Sequence, residues 1–189
     1  MATTQAPTIK NGVNVTQLVD TIGLIKGTPS LAKFSFRAET VWESGGRSRT
    51  RIESFAGAGQ ESKHAKAYEL QGDEPPVLLG TDTAPNAVEA VLHAIGSCVA
   101  VGYAYNAAAR GIDIEELRFE SEGELDLHGF LGLSETVRPG FERIRFAATV
   151  KSSASREALE ELCEYVQRTS PVLDIVRNPV PVTVTLRKA

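Results

Sequence analysis

Cysteine is scarce in this chain of 189 residues, with Cys98 and Cys163 the only two. Two thiols make no disulfide framework, so a reducing, cytoplasmic setting is expected, and each cysteine serves either packing or chemistry. Histidine is scarcer than a metal centre needs: His64, His93 and His128 are scattered, and no His or Cys pair has ligand spacing. Neither a metal nor another cofactor is expected. Base is not in excess, with 20 Lys+Arg against 24 Asp+Glu and a net charge of −4, so no nucleic-acid footprint is present. No apolar run reaches membrane length unbroken, because Glu89 and His93 interrupt the best candidate. The opening MATTQAPTIKNG has neither the basic nor the apolar region of a secretory leader. Glycines match no phosphate-loop spacing, Gly96-Ser97-Cys98 lacks the flanks of a serine-nucleophile elbow, and no internal repeat is found.

What is present is a long helical stretch, Pro85 to Arg110, with no internal proline. Apolar or small residues cover almost every side of it, from Ala87 and Val88 to Val101 and Tyr103. A helix apolar all round belongs inside a fold. At about 1.5 Å per residue it is roughly 36 Å long, more than a small domain covers alone, which points to a second chain. Gly111 is placed to end it, with Arg110 favouring the negative helix end. Glu89, His93 and Ser97 form a polar stripe at one-turn spacing, read as a helix–helix hydrogen-bond seam rather than a metal site.

Elsewhere the periodicities alternate between helix and strand. Residues 1–10 read as a loose tail. Val15, Leu18, Val19, Ile22 and Ile25 predict an amphipathic helix capped by Asn11 or Asn14 and ended by Gly27, with Pro29 starting one further turn. Phe34–Glu43 alternates as a strand, Gly45-Gly46 is a two-residue turn, and Arg47–Phe55 returns. If Ser44 pairs with Arg47, Trp42 faces Arg49 and a cation–π contact is expected. Residues 56–63 read as a loop, Lys66–Leu70 as a short strand and 73–85 as turns. After the long helix, Ile114–Leu125 and Ile144–Val150 alternate as half-buried strands. A helix capped by Ser153 or Ser155 carries the stripe Leu159, Leu162, Cys163, Val166, and Thr169-Ser170-Pro171 ends or restarts it. Val180, Val182, Val184 and Leu186 predict a last strand. The plan is α+β, with helices covering one side of antiparallel sheet.

Cys163 lies on the core stripe and reads as packing. Composition alone gives Cys98 the same reading, since a reactive thiolate needs a cation or a helix N-terminus and Cys98 is mid-helix. Arg47, Arg49 and Arg51 share one strand face, which on its own reads as a solvated face.

The run PNAVEAVLHAIGSCVAVGYAYNAAARGI resembles the central helix of the OsmC/Ohr family of osmotically induced and organic hydroperoxide resistance proteins. Arg168-Thr169-Ser170-Pro171-Val172 resembles that family's C-P-V segment, and VRPGFERIRFAATV the strand before its last helix. The resemblance spans about residues 36–187, and the order of elements agrees. It implies a two-layer α+β fold of antiparallel sheets around a long central helix, in an interwoven homodimer. Residues 1–33 are then a tail and helical extension, and 34–189 the family domain. It also implies a thiol peroxidase in which one cysteine attacks the peroxide and a second resolves the sulfenic acid.

By that resemblance Cys98 matches the peroxidatic cysteine. Arg47 best matches the activating arginine, with Arg49 and Arg51 as rivals. Glu89 lies nearest the helix glutamate, one position closer to the cysteine than in the peroxide-resistance branch. The resolving position is Ser170, whose hydroxyl forms no disulfide. Cys163, seven positions away and about 10 Å along a helix, is too distant to replace it. Glu89 and Cys98 point to opposite sides of one helix and lie about 13 Å apart, so they meet only if a partner helix packs antiparallel across a twofold. The implied activity is reduction of a small organic hydroperoxide with an external thiol as reductant. The alternative is a non-catalytic member that binds an apolar ligand between subunits.

Overall fold

The computed structural model describes residues 7–188. The chain resolves into two compact units: the first holds residues up to Ile9 and Asn14–Val91, the second Lys10–Val13 and everything from Leu92 onward. The tail expected at residues 1–10 lies largely outside the described residues; its last two, Ile9–Lys10, form β1, which pairs with β2 (Val13–Asn14) in a small hairpin.

In the first unit, α1 spans Val15–Gly27, and Asn14 Oδ1 caps it by accepting from the Gln17 N–H at 3.0 Å. The turn begun by Pro29 follows. Four antiparallel strands then form one sheet: β3 (Ser35–Phe36), β4 (Glu39–Ser44), β5 (Arg47–Gly57) and β6 (Gln60–Gly72). β5 is central, with β3 and β4 along one side and β6 along the other. Gly45 takes φ +56°, as a two-residue hairpin turn requires.

Two expectations fail here for local reasons. Ser44 does pair with Arg47, but the register shifts between Trp42 and Ser44, so Trp42 faces Ser48 and Val41 faces Arg49. The extra residue, Glu43, turns the Trp42 indole to donate to the Gly45 carbonyl at 2.9 Å, and Arg49 pairs with Glu43 at 3.3 Å instead. The loop expected at 56–63 is only the turn Ala58-Gly59, both at positive φ. The polar residues around it continue β5 and β6 as solvent-facing strand, and Lys66–Leu70 is part of the 13-residue β6.

The second unit contains the core. The central helix α2 (Ala87–Ala109) buries the stripe Ile95, Val99, Tyr103, Ala107 against Leu162 and Val166. Its end is a Schellman motif: the Gly111 N–H donates to the Ala108 carbonyl and the Ile112 N–H to the Ala107 carbonyl, with Gly111 at φ +74°. By length and composition α2 would suffice to cross a membrane, contrary to the expectation from its interruptions. One stripe of it packs into the core, while most of its apolar window is not buried, so the sequence expectation of a helix buried on every side is met on one side only.

β7 (Glu116–Glu124) and β8 (Arg143–Lys151) pair antiparallel and turn Leu117, Phe119, Ile144 and Phe146 onto that stripe. The connection between them holds one short helix, α3 (Leu127–Phe130). α4 (Arg156–Thr169) starts at Ser155, whose hydroxyl accepts from the Ala158 N–H at 3.2 Å. The tip of the β1–β2 hairpin is fastened to the segment after α2. Asn11 Nδ2 donates to the Ile112 carbonyl at 2.9 Å, and Asn11 Oδ1 accepts from the Ile114 N–H at 3.0 Å. The chain restarts at Ser170 as α5 (Pro171–Arg177). Beyond Asn178 the expected strand is absent. Val182, Val184 and Leu186 lie in irregular chain at 79, 91 and 93% exposure, and no strand among the described residues pairs with them.

Candidate functional site

Cys98 stands on α2 one turn before Gly102, which packs against Val166 of α4. A Cβ on Gly102 would lie 2.8 Å from Val166 Cγ1, so glycine sets that approach. The approach brings the α4–α5 junction to the cysteine. Cys98 Sγ is 3.2 Å from Ser170 Oγ. The pair predicted from sequence as attacking and resolving positions is thus in direct contact, and Ser170 is 5% exposed.

Ser170 holds its place by several bonds. Its N–H donates to the Val166 carbonyl at 3.0 Å, ending α4. Its Oγ accepts from the Leu173 N–H at 3.3 Å, starting α5, with Pro171 at the first helical position.

Cys163 lies on the stripe as expected but is only half-buried, with Gln167 Nε2 donating to its sulfur at 3.4 Å. Beside it, Tyr103 is buried. Burial, then the hydrogen bond with Cys163, raises its phenol far above the ordinary range, so it stays protonated. Both cysteines are free thiols.

Arg47 and Glu89 belong to the first unit and have local partners there. Arg47 pairs with Glu43 at 3.5 Å, and the rival Arg51 with Glu53 at 3.2 Å. Glu89 closes a capping box at the start of α2: its Oε2 accepts from the Asn86 N–H and Asn86 Oδ1 accepts from the Glu89 N–H, each at 2.9 Å. The Asn-x-x-Glu spacing was a readable signal for that role.

The His93–Ser97 half of the polar stripe is in place, with Nε2 and Oγ 3.4 Å apart. Both line an open groove of about 370 Å³ between α2 and the β7–β8 sheet, walled by Leu92, Phe119 and Phe146 with Ser121 as a further polar group. Among the described residues no three His, Cys, Asp or Glu side chains converge as a metal site.

Sequence reasoning missed Asp73. It is buried at the end of β6, and its carboxylate accepts from the N–H and hydroxyl groups of both Thr81 and Thr83 and from the Glu74 N–H. Its signal, an aspartate eight and ten residues before two threonines in a turn-rich segment, is too diffuse to stand out.

The molecule is therefore an α+β protein of antiparallel sheets and a long apolar helix that carries a thiol against a helix junction. The family model for OsmC-like protein matches residues 80–185, more than half the chain, and the chain belongs to that family. An OsmC-like protein from Mycoplasma pneumoniae has a similar structure, with TM-score 0.58 and 15% identity over 77% of this chain and 89% of that one. An OsmC-like protein of unknown function from Vibrio cholerae gives TM-score 0.57 and 11% identity over 74% and 92%. The organic hydroperoxide resistance protein OsmC from Legionella pneumophila gives 0.53 and 16% over 76% and 90%. At such identities the likeness shows the fold. No curated protein matches the chain by sequence.

Proposed function

We propose that this chain is a hydroperoxide reductase that works through the single thiol of Cys98. The observation that carries the reading is the 3.2 Å contact of Cys98 with Ser170. A residue in the resolving position lies beside the sulfur, yet is a hydroxyl. The Cys98 thiolate attacks one peroxide oxygen and the O–O bond breaks. Sulfur is oxidised to a sulfenic acid, and the alkoxide takes a proton and leaves as an alcohol. An external small thiol then forms a mixed disulfide with Cys98 and releases water. A second thiol displaces Cys98 and leaves as a small disulfide. Arg47, with Arg49 and Arg51 as rivals, is proposed to favour the thiolate, and Glu89 to orient the arginine, in a cytoplasmic homodimer. The description of the Legionella relative as a hydroperoxide resistance protein supports the substrate class.

The test is mass spectrometry after one equivalent of alkyl hydroperoxide. One oxygen is expected on Cys98, lost on adding dithiol, while excess peroxide drives Cys98 on to the sulfinic acid. A Cys98–Cys163 disulfide would defeat the one-cysteine cycle. An unmodified Cys98 would favour the second reading, an apolar-ligand binder, which draws its support from the open groove walled by Leu92, Phe119 and Phe146.

A further inference from the structure

A hydroxyl has one proton to donate and two lone pairs. At Ser170 one lone pair is engaged by the Leu173 N–H, which fixes the oxygen at the α4–α5 junction. The remaining capacity, one donor and one acceptor, points at a single side-chain partner, Cys98 Sγ at 3.2 Å. While Cys98 is a thiol, its S–H can donate to Ser170. Once the sulfur is an anion it has no proton, and Ser170 O–H can turn and donate instead. The exchange needs only rotation about the C–O bond, since the oxygen is held by the backbone. At 5% exposure water does not readily compete for that proton.

We infer that Ser170 is a positioning residue that donates its hydroxyl proton to the Cys98 sulfur and stabilises its anionic form. The inference rests on reading Cys98 as the reactive thiol. It gives Ser170 a role apart from resolution: it favours the thiolate for attack. A hydrogen bond to the charged form of an acid favours that form.

The experiment measures Cys98 thiolate absorbance and iodoacetamide alkylation, both at pH 7, in the Cys163→Ala background. Three forms are compared: Ser170, Ser170→Gly and Ser170→Thr. Glycine is tolerated at an N-cap, so Ser170→Gly removes the hydroxyl while leaving a workable start for α5. Threonine restores the donor. The expected result is a lower thiolate absorbance in Ser170→Gly, with alkylation up to about tenfold slower, and both near the parent value in Ser170→Thr. Unchanged thiolate absorbance in folded Ser170→Gly overturns the inference. Thiolate absorbance in Ser170→Thr as low as in Ser170→Gly overturns it equally. Alkylation uses no peroxide, so failure of this inference and failure of the peroxidase reading are seen separately.

Discussion

Asp73 shows how much one side chain can organise. The Thr81 hydroxyl, then the Thr83 N–H, the Thr83 hydroxyl and the Glu74 N–H, hold its carboxylate well below the usual range against the opposing effect of burial. A carboxyl depressed in the folded state stabilises fully above its unfolded pKa, about 4, and loses that contribution as pH falls below it. Acid unfolding followed by circular dichroism should therefore show an Asp73-dependent loss from about pH 4 downward. Asp73→Asn is expected to be less stable at pH 7 and to lose less between pH 4 and pH 2. Equal acid sensitivity of the two proteins would remove Asp73 from the account. Cys163 presents the opposite case, a thiol on a core stripe with hydrogen-bonding neighbours. Cys163→Ala is expected to cost about 1 kcal/mol in denaturant titrations, and Cys163 to label more slowly than Cys98 in the folded protein.

At the scale of elements, the approach of α2 to α4 is set by Gly102, and its replacement tests that geometry. The 2.8 Å separation from Val166 leaves no room for a methyl, so Gly102→Ala gains helix propensity but overpacks the core. A net loss of about 1–3 kcal/mol is expected in thermal or chemical unfolding; a gain in stability would show that the helices part freely. The elements legible in the sequence were those whose signals are local. Asn14 and Ser155 announce helix starts, Gly111 announces the end of α2, and the alternation in β7 and β8 needs only one buried face. The failures had non-local causes. The bulge at Glu43 is a matter of register between two strands, and a strand at 180–186 needs a paired neighbour, which is absent among the described residues. Of the candidate site, the Cys98–Ser170 pair was legible because both residues sit in recognisable segments. The capping role of Glu89 was hidden behind its likeness to a functional glutamate.

At the scale of the whole molecule, large apolar side chains stand exposed in both units. Every buried apolar side chain among the described residues lies at Ile95 or beyond it, so the first unit buries none. Its sheet, with Phe34 just before it, instead carries a row of rings, Phe34, Phe36, Phe55, His64 and Tyr68, with centroids of contacting pairs 5.1 to 6.5 Å apart. Phe36 is 76% exposed. A four-stranded sheet with an uncovered aromatic face is not expected to persist in water, and apolar surface of this kind marks an interface. The central helix adds Val101 and Tyr105, four residues apart and about half exposed. A second copy of this chain is the proposed cover, with both central helices in the interface. Val101→Glu separates the possibilities. In a monomer the change places a good helix former at a solvent-facing position, and stability should move by no more than about 0.5 kcal/mol. In a homodimer it buries two unpaired carboxylates near a twofold axis, one from each subunit. Sedimentation velocity is expected to show a dimer for the parent chain and a shift to monomer or aggregate for Val101→Glu, with loss of cooperative unfolding. A parent chain that sediments as a folded monomer, with Val101→Glu equally stable, would show that the exposed rings and Val101 face solvent.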